Sequence, residues 1–332
     1  MADIVVGLQF GDEGKGKVTK SLIETVNYDY CARFNGGPNA GHTIYYKGQK
    51  LVTHLVPSGI CTDKTICLVG PGCVIDINKL EAEIQMLETA GISVRDRLKI
   101  AFNAHIISAE HIEDDIKNDV AGSTHSGIRP VYRDKYNRCG TRVCDLQNET
   151  ICGCEVVDTY EVLQQAKAGS TVLFEGAQGF MLDIDSEFYP YVTSSHCISA
   201  MAATCGYSFK KIDRVYGICK LYNTYVGNRQ FQPEDQPELH KLAVLGEEFG
   251  STTGRQRQCN WLDLNQLQRA IVINSVTDLI VNKCDIIQEL GVFRLYHNTK
   301  LIEFSNIEEM QSYVTDQFTD VNICFSYHND RI

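Results

Sequence analysis

The apolar run Ile4–Phe10 passes directly into Gly11-Asp12-Glu13-Gly14-Lys15-Gly16-Lys17, and a helix-period segment follows over Lys15–Val26. No other stretch restricts the fold as much. A buried strand that enters a glycine turn and leaves as a helix is the first half of a βα unit. The turn also aims backbone N–H groups and a helix N-terminus at one point, which suits a phosphate. The frame is that of a phosphate loop: Gly11, four residues, then Gly16-Lys17. The Ser or Thr that should follow to hold Mg²⁺ is Val18, however, and the interior carries two carboxylates, Asp12 and Glu13. A carboxylate there repels a polyphosphate unless it has another task.

The alternation continues along the chain. Short apolar runs predict strands at Leu51–Val56, Ile66–Val69, Leu98–Phe102, Thr171–Phe174, Val215–Leu221, Asp278–Val281 and Val321–Phe325. Helical spacing predicts helices at Asn78–Ala90, Ala109–Lys117, Thr159–Ala168, Cys197–Cys205 and Leu262–Ser275, and across "NIEEMQSYV". This pattern predicts an α/β fold: a single large domain over residues 1–332 around a mainly parallel central sheet, with a nucleotide site like that of phosphate-loop NTPases. No internal repeat or low-complexity linker divides the chain. Stretches rich in glycine and charge, 34–42, 121–145, 222–236 and 250–260, predict long loops that carry function.

Composition removes several classes. Lys and Arg number 31 against 42 Asp and Glu, a net charge of −11, which disfavours broad nucleic-acid or anionic-membrane binding. The 14 cysteines include no C-x-x-C pair, and Cys152-Gly-Cys154 lacks a second pair at zinc spacing. Free thiols in this number suit a reducing, cytoplasmic setting. Asp3 interrupts any leader, and no apolar run reaches membrane-spanning length.

Four further stretches carry chemistry. "DLIVNKCD", 278–285, is an apolar strand ending in Asn282-Lys283-x-Asp285, the guanine-reading pattern of GTP-binding proteins. A carboxylate at Asp285 accepts from the guanine N1–H and 2-amino group, and adenine would leave it without partners. "RFNGGPNAGHT", 33–43, presents Asn39 and one imidazole, His42, in a glycine-rich loop. "FGSTTGRQRQCNW", 249–261, places Arg255 and Arg257 beside Ser251, Thr252 and Thr253, a set suited to clamping a carboxylate or phosphate. "VLFEGAQG…YPYVTSS", 172–195, sends Glu175 and Gln178 off a strand end and offers Thr193, Ser194 and Ser195 as donors. "HIEDDIKND" reads as a solvated helix rather than a metal site, and Asp183 and Asp185 as part of a turn.

Taken in order, these stretches closely resemble the adenylosuccinate synthetase family, over essentially the whole chain. The resemblance is to a compact form, shorter than the common one by segments after Leu146 and after Asp285. It implies a two-step reaction. Asp12 takes the N1 proton of IMP, O6 attacks the γ-phosphate of GTP while His42 stabilises the transferred group, and the amine of L-aspartate then displaces phosphate. It further implies Mg²⁺ held by Asp12 and the Gly41 carbonyl, and a homodimer. The GTP positions that match are Gly11, Glu13, Gly14, Lys15, Gly16, Lys17, Gly41, His42, Thr43, Lys283 and Asp285. Those for IMP are Asp12, Asn39, Thr124, Arg138, Gln178 and Thr193, and those for aspartate are Val226, Thr253, Arg255 and Arg257. The family pattern has Arg where Ser126 and Tyr225 stand. It has another at Cys139 that reaches the neighbouring subunit's IMP phosphate, a contact for which Arg138 and Arg129 are both candidates.

Three other readings compete. A phage relative aminates dGMP and replaces the loop Asp by a smaller residue; Asp12 is retained here, which favours IMP. A switch GTPase would need a hydroxyl in place of Val18 and a D-x-x-G after a strand, and the chain offers only Asp119–Gly122, in polar sequence. An inactive homologue would have no use for an intact Asp12 and His42.

Overall fold

The computed structural model describes residues 1–118, 122–167, 169–250 and 254–327. Ala2–Gly7 and Asn322–Phe325 belong to the same ten-stranded sheet, so its strands run from one end of the described chain to the other. From edge to edge the order is Asn322–Phe325, Asp278–Asn282, Arg214–Lys220, Ala2–Gly7 and Val172–Glu175. It continues through Tyr30–Arg33, Ile66–Val69, Leu98–Ala101, Cys154–Val157 and Thr150–Ile151. Neighbours are parallel except the last two, which are antiparallel.

The strand Ala2–Gly7 is buried on both faces, as a central parallel strand must be. Ile4 and Val6 pack into one apolar cluster with Phe174 and Leu279, while Val5 packs into another with Val18, Ile23 and Leu173. Helix Lys15–Val26 buries Val18 and Ile23 against the second cluster. Asp3 lies within this strand at 1 % exposure; its carboxylate accepts from the Tyr28 hydroxyl and from the Arg214 N–H at 3.0 Å.

Several elements differ from the sequence expectations. The stretch 121–145 is not a continuous loop, because Ile128–Asn137 is helical after a left-handed Gly127. Strands Tyr222–Tyr225 and Gln258–Asp263 occupy parts of the loops at 222–236 and 250–260, and pair with each other. The helix expected from Leu262 starts at Leu264, where the Asp263 carboxylate caps the N–H groups of Asn265 and Gln266. The helix expected at Cys197–Cys205 is a 3₁₀ stretch over Ser199–Cys205. Its first residue is tied to Asn274 by both backbone N–H and hydroxyl, which fixes the entry geometry. The helix expected to Ala168 ends at Gln164, and Ala168 itself lies outside the described residues.

Candidate active site

The glycine loop leaves the carboxyl end of Ala2–Gly7, where open α/β sheets place their ligands. Gly11, Asp12 and Gly14 all have positive φ, of 86°, 58° and 96°, so Asp12 holds a left-handed conformation that non-glycine residues seldom adopt. The two adjacent carboxylates have opposite fates. Glu13 is buried and accepts from the N–H groups of Gln9 (3.1 Å) and Gly11 (2.9 Å), and pairs with Lys15 Nζ at 2.7 Å. Asp12 faces the cavity described below, with its Oδ2 2.8 Å from Arg257 Nε. Arg257 also reaches Glu248, which in turn pairs with Lys220 at 3.2 Å. Burial pushes Glu248 up, but Lys220 and Arg257 outweigh it and hold the carboxyl at about 2.

The second half of the site forms because register puts Arg33 opposite Glu175 on neighbouring parallel strands. Both side chains are fully buried, 3.4 Å apart. Glu175 also accepts from the Ser58 hydroxyl (2.5 Å) and N–H (2.8 Å), and from His42 Nδ1 at 2.6 Å. Burial opposes the charge on Glu175, yet Arg33 and His42 hold it well below the usual carboxylate range. The same surroundings act on His42 in reverse: burial first, then Arg33, push the imidazole down to about 4 against the pull of Glu175. At 2.6 Å the Nδ1 proton lies on the bond to Glu175, so Nε2 is the open nitrogen. It is buried and has no partner among the described residues.

These halves meet in a cavity of about 380 Å³. Its lining includes Gly11, Asp12, Lys15, Gly41 and His42, together with Asn39, Thr124, Gln178, Thr193, Val226 and Arg255. Asn39 Oδ1 and Gln178 Oε1 are further buried polar atoms without protein partners. Other expected site residues lie outside the lining. Gly14 and Gly16 allow close packing: a Cβ on them would come within 2.9 Å of the Asn282 side chain and 2.7 Å of His42 Cβ, respectively. Lys17 Nζ donates to Ser326 Oγ at 2.9 Å, and Thr43 pairs with Val52 in the hairpin of His42–Tyr46 with Gln49–Thr53. Lys283, at φ 65°, precedes helix Cys284–Leu290 and donates to the Gly246 carbonyl at 3.0 Å; Asp285 sits in that helix's first turn. Arg138 is exposed at the end of helix Ile128–Asn137, whereas Arg129 lines the cavity. Thr253 and its neighbours Ser251 and Thr252 lie outside the described residues, as does Asp119.

Sequence reasoning missed three participants. Arg33 and Ser58 were invisible because their partner Glu175 is more than a hundred residues away in each case. Asp115 belongs to the segment read as a solvated helix, yet it is 1 % exposed and lines the cavity. It accepts from the Gly127 N–H at 3.0 Å and the Ser123 hydroxyl at 3.3 Å. The one detectable signal was position: charged residues closing apolar strands, as Arg33 and Glu175 do. Asp183 and Asp185 do form a turn, with the Asp185 N–H donating to Asp183 Oδ1 at 3.0 Å.

Fold and site define an α/β enzyme with a glycine loop, a paired imidazole and a strand ending in Asn282-Lys283-x-Asp285, on one mainly parallel sheet. The family model for adenylosuccinate synthetase matches residues 4–154 and 153–326. The chain belongs to the adenylosuccinate synthetase family, whose members are ligases forming a C–N bond. It is 41 % identical to the adenylosuccinate synthetase of Chlorobaculum parvum over 336 residues, 86 % of this chain and 77 % of that one. It is 37 % identical to that of Alteromonas mediterranea over 367 residues, 96 % and 84 % of the two chains. Among solved structures, the fully ligated adenylosuccinate synthetase of Plasmodium falciparum superposes with a TM-score of 0.89 at 27 % identity, covering 99 % of this chain and 98 % of that one. The succinoaminodeoxyadenylate synthetase of cyanophage S-2L, bound to dGMP and dATP, shares the fold with a TM-score of 0.73 at 24 % identity, covering 94 % and 99 %. No helix among the described residues is long and apolar enough to cross a membrane.

Proposed function

We propose that the chain joins L-aspartate to IMP at the expense of GTP, giving adenylosuccinate, GDP and phosphate. One observation carries the reading. His42 Nε2 is buried and unpartnered in the cavity that also holds Asp12, while its Nδ1 is pinned to Glu175. Asp12 takes the N1 proton of IMP, so that O6 gains the electron density to attack the γ-phosphorus as GDP leaves. Held neutral by burial and Arg33, His42 gains a reason to hold a proton when phosphoryl charge arrives beside Nε2, and then donates to it. The aspartate amine next attacks C6 and loses a proton, the C6–O6 bond breaks, and O6 leaves with the phosphoryl group as inorganic phosphate.

Asn39, Thr124, Gln178 and Thr193 are read as the IMP contacts, Val226, Arg255, Arg257 and Thr253 as those for aspartate. The loop from Gly11 to Lys17, with Gly41, Thr43, Lys283 and Asp285, is read as serving GTP. The buried Glu13 carboxylate is spent within the loop, so any contact from that residue falls to its backbone. Asp12 and the Gly41 carbonyl both line the cavity and are hard oxygen donors, which fits Mg²⁺. Bound there, that ion would offset charge on the phosphate oxygens. We also read the protein as a homodimer acting in the cytoplasm, with the exposed Arg138 reaching a neighbouring copy's IMP.

Mass spectra of the product formed from IMP or dGMP, with GTP or ATP and aspartate, test the reading. Adenylosuccinate from IMP and GTP is expected. Turnover of dGMP alone, or full-rate GTP hydrolysis without IMP and aspartate, would overturn it.

A further inference from the structure

We propose that His54 is a positioning residue for the turn carrying Gly41 and His42, and that Glu83 holds His54 in place. The proposal rests on the reading above, in which that turn meets the metal and GTP. His42 and Thr53 are the last paired residues at the open end of their hairpin. One residue further, the ladder is continued by a side chain: His54 Nδ1 lies 2.6 Å from the Ala40 carbonyl oxygen. A carbonyl only accepts, so His54 carries its proton on Nδ1 and donates it.

The turn is therefore gripped on two flanks. Helix Lys15–Val26 presses on His42 through the missing side chain of Gly16, and His54 ties down the peptide that precedes Gly41. His54 is itself fixed. Glu83, 5 % exposed on helix Ile77–Thr89, accepts from the N–H groups of His54 (2.7 Å), Leu55 (3.0 Å) and Val56 (3.1 Å). Three donors on one buried carboxylate make a rigid anchor. Neither His54 nor Glu83 lines the main cavity. Both line an adjoining one of about 470 Å³ that shares Thr124 with it. They act through the backbone, not on substrate.

His54→Asn keeps a donor where Nδ1 stands; His54→Leu keeps the volume and removes the donor. Calorimetry would follow binding of the manganese complex of a non-hydrolysable GTP analogue, beside kcat and thermal melting. His54→Leu is expected to weaken that binding by about 10–100-fold, as loss of an outer partner of a metal ligand does, and His54→Asn to recover most of it. Glu83→Gln is expected to weaken it in the same direction, and it tests the proposal if His54→Leu does not fold. Unchanged binding in His54→Leu, or His54→Asn as impaired as His54→Leu, overturns the role of His54. Unchanged binding in Glu83→Gln overturns that of Glu83. If the unsubstituted protein binds no metal–nucleotide complex, the reading of the site falls, and this inference with it.

Discussion

Gly16→Ala should separate activity from stability. A Cβ at position 16 would stand 2.7 Å from His42 Cβ, 3.2 Å from its Cα and 3.3 Å from its carbonyl carbon. None of these atoms can swing away by a side-chain rotation. Carbon atoms pack best at about 3.5–4.0 Å, so helix Lys15–Val26 and the His42 turn must part by about 1 Å. Overpacking of this kind costs about 1–3 kcal/mol. Against it, alanine gains up to about 1 kcal/mol over glycine in a helix, less in the first turn where Gly16 stands, so part of the loss of stability is offset. Catalysis has no such compensation. Moving His42 by that distance pulls its Nδ1 from Glu175, now 2.6 Å away, and a misplacement of about 1 Å costs on the order of 10²-fold in rate. The assay is kcat for adenylosuccinate formation at saturating substrates, beside thermal melting. Gly48→Ala is the control: its φ of 81° strains any side chain, but nothing lies within 4 Å of the added Cβ. That variant should lose about 1–2 kcal/mol of stability and no activity. If Gly16→Ala keeps kcat within a factor of about three, under 1 kcal/mol of barrier, close packing on His42 does not set the rate and the reasoning fails.

Three further outcomes are expected. Glu175→Gln leaves the buried Arg33 guanidinium uncompensated at a cost of about 3–5 kcal/mol, so melting should drop by roughly 10 °C as kcat falls; an unchanged melting temperature would contradict the buried pair. Asp12→Ala should lower product formation by about 10²–10⁴-fold, and undiminished formation would remove Asp12 as the base. His42 and His105 are both held down to about 4, His105 by burial and then by Lys135 and Arg142. The unfolded chain therefore binds protons near pH 6.5 that the folded one refuses, and stability present above that pH is lost as it falls towards 4. His105→Gln should flatten this decline in urea unfolding at pH 7.5, 6 and 5; an unaltered slope would refute the assignment.

Most of the strands that could be read beforehand lie inside the ten-stranded sheet. Ile66–Val69 and Asp278–Asn282 are apolar runs because each lies between two parallel neighbours. Tyr30–Arg33 was not legible, since Tyr-Cys-Ala-Arg contains no β-branched residue and makes no apolar run. Of the hairpin of His42–Tyr46 with Gln49–Thr53, only the second arm was anticipated, by the strand expected at Leu51–Val56; the first stands directly after a glycine-rich loop, although Lys47 and Gly48, at φ 49° and 81°, make the turn. In the site the same division holds. Asp12, Asn39 and His42 stand in glycine-rich loops, whose composition betrays close backbone approach. Asp115 did not, because a helix with three consecutive carboxylates, Glu113, Asp114 and Asp115, looks solvated until Gly127 and Ser123 are brought to it.

The loop that looked wrong for phosphate now has a physical account. Glu13 takes the N–H groups of Gln9 and Gly11, donors of the kind that a conventional phosphate loop would turn to its ligand. Its charge is cancelled inside the loop by Lys15. The front of the loop is thus a closed ion pair, and what it holds rigidly is the left-handed residue just before it, Asp12, between the bonded Gly11 and Glu13. Donors for phosphate remain further along, where helix Lys15–Val26 begins without a side-chain cap. Val18 fits the same logic. It is wholly buried among Val5, Ile23 and Ile44, so a hydroxyl at that position would point into an apolar core and not at a metal. The departure from the phosphate-loop pattern at Val18 and the carboxylates inside it are one change: the segment gave up binding capacity at its front to fix a carboxylate beside the imidazole.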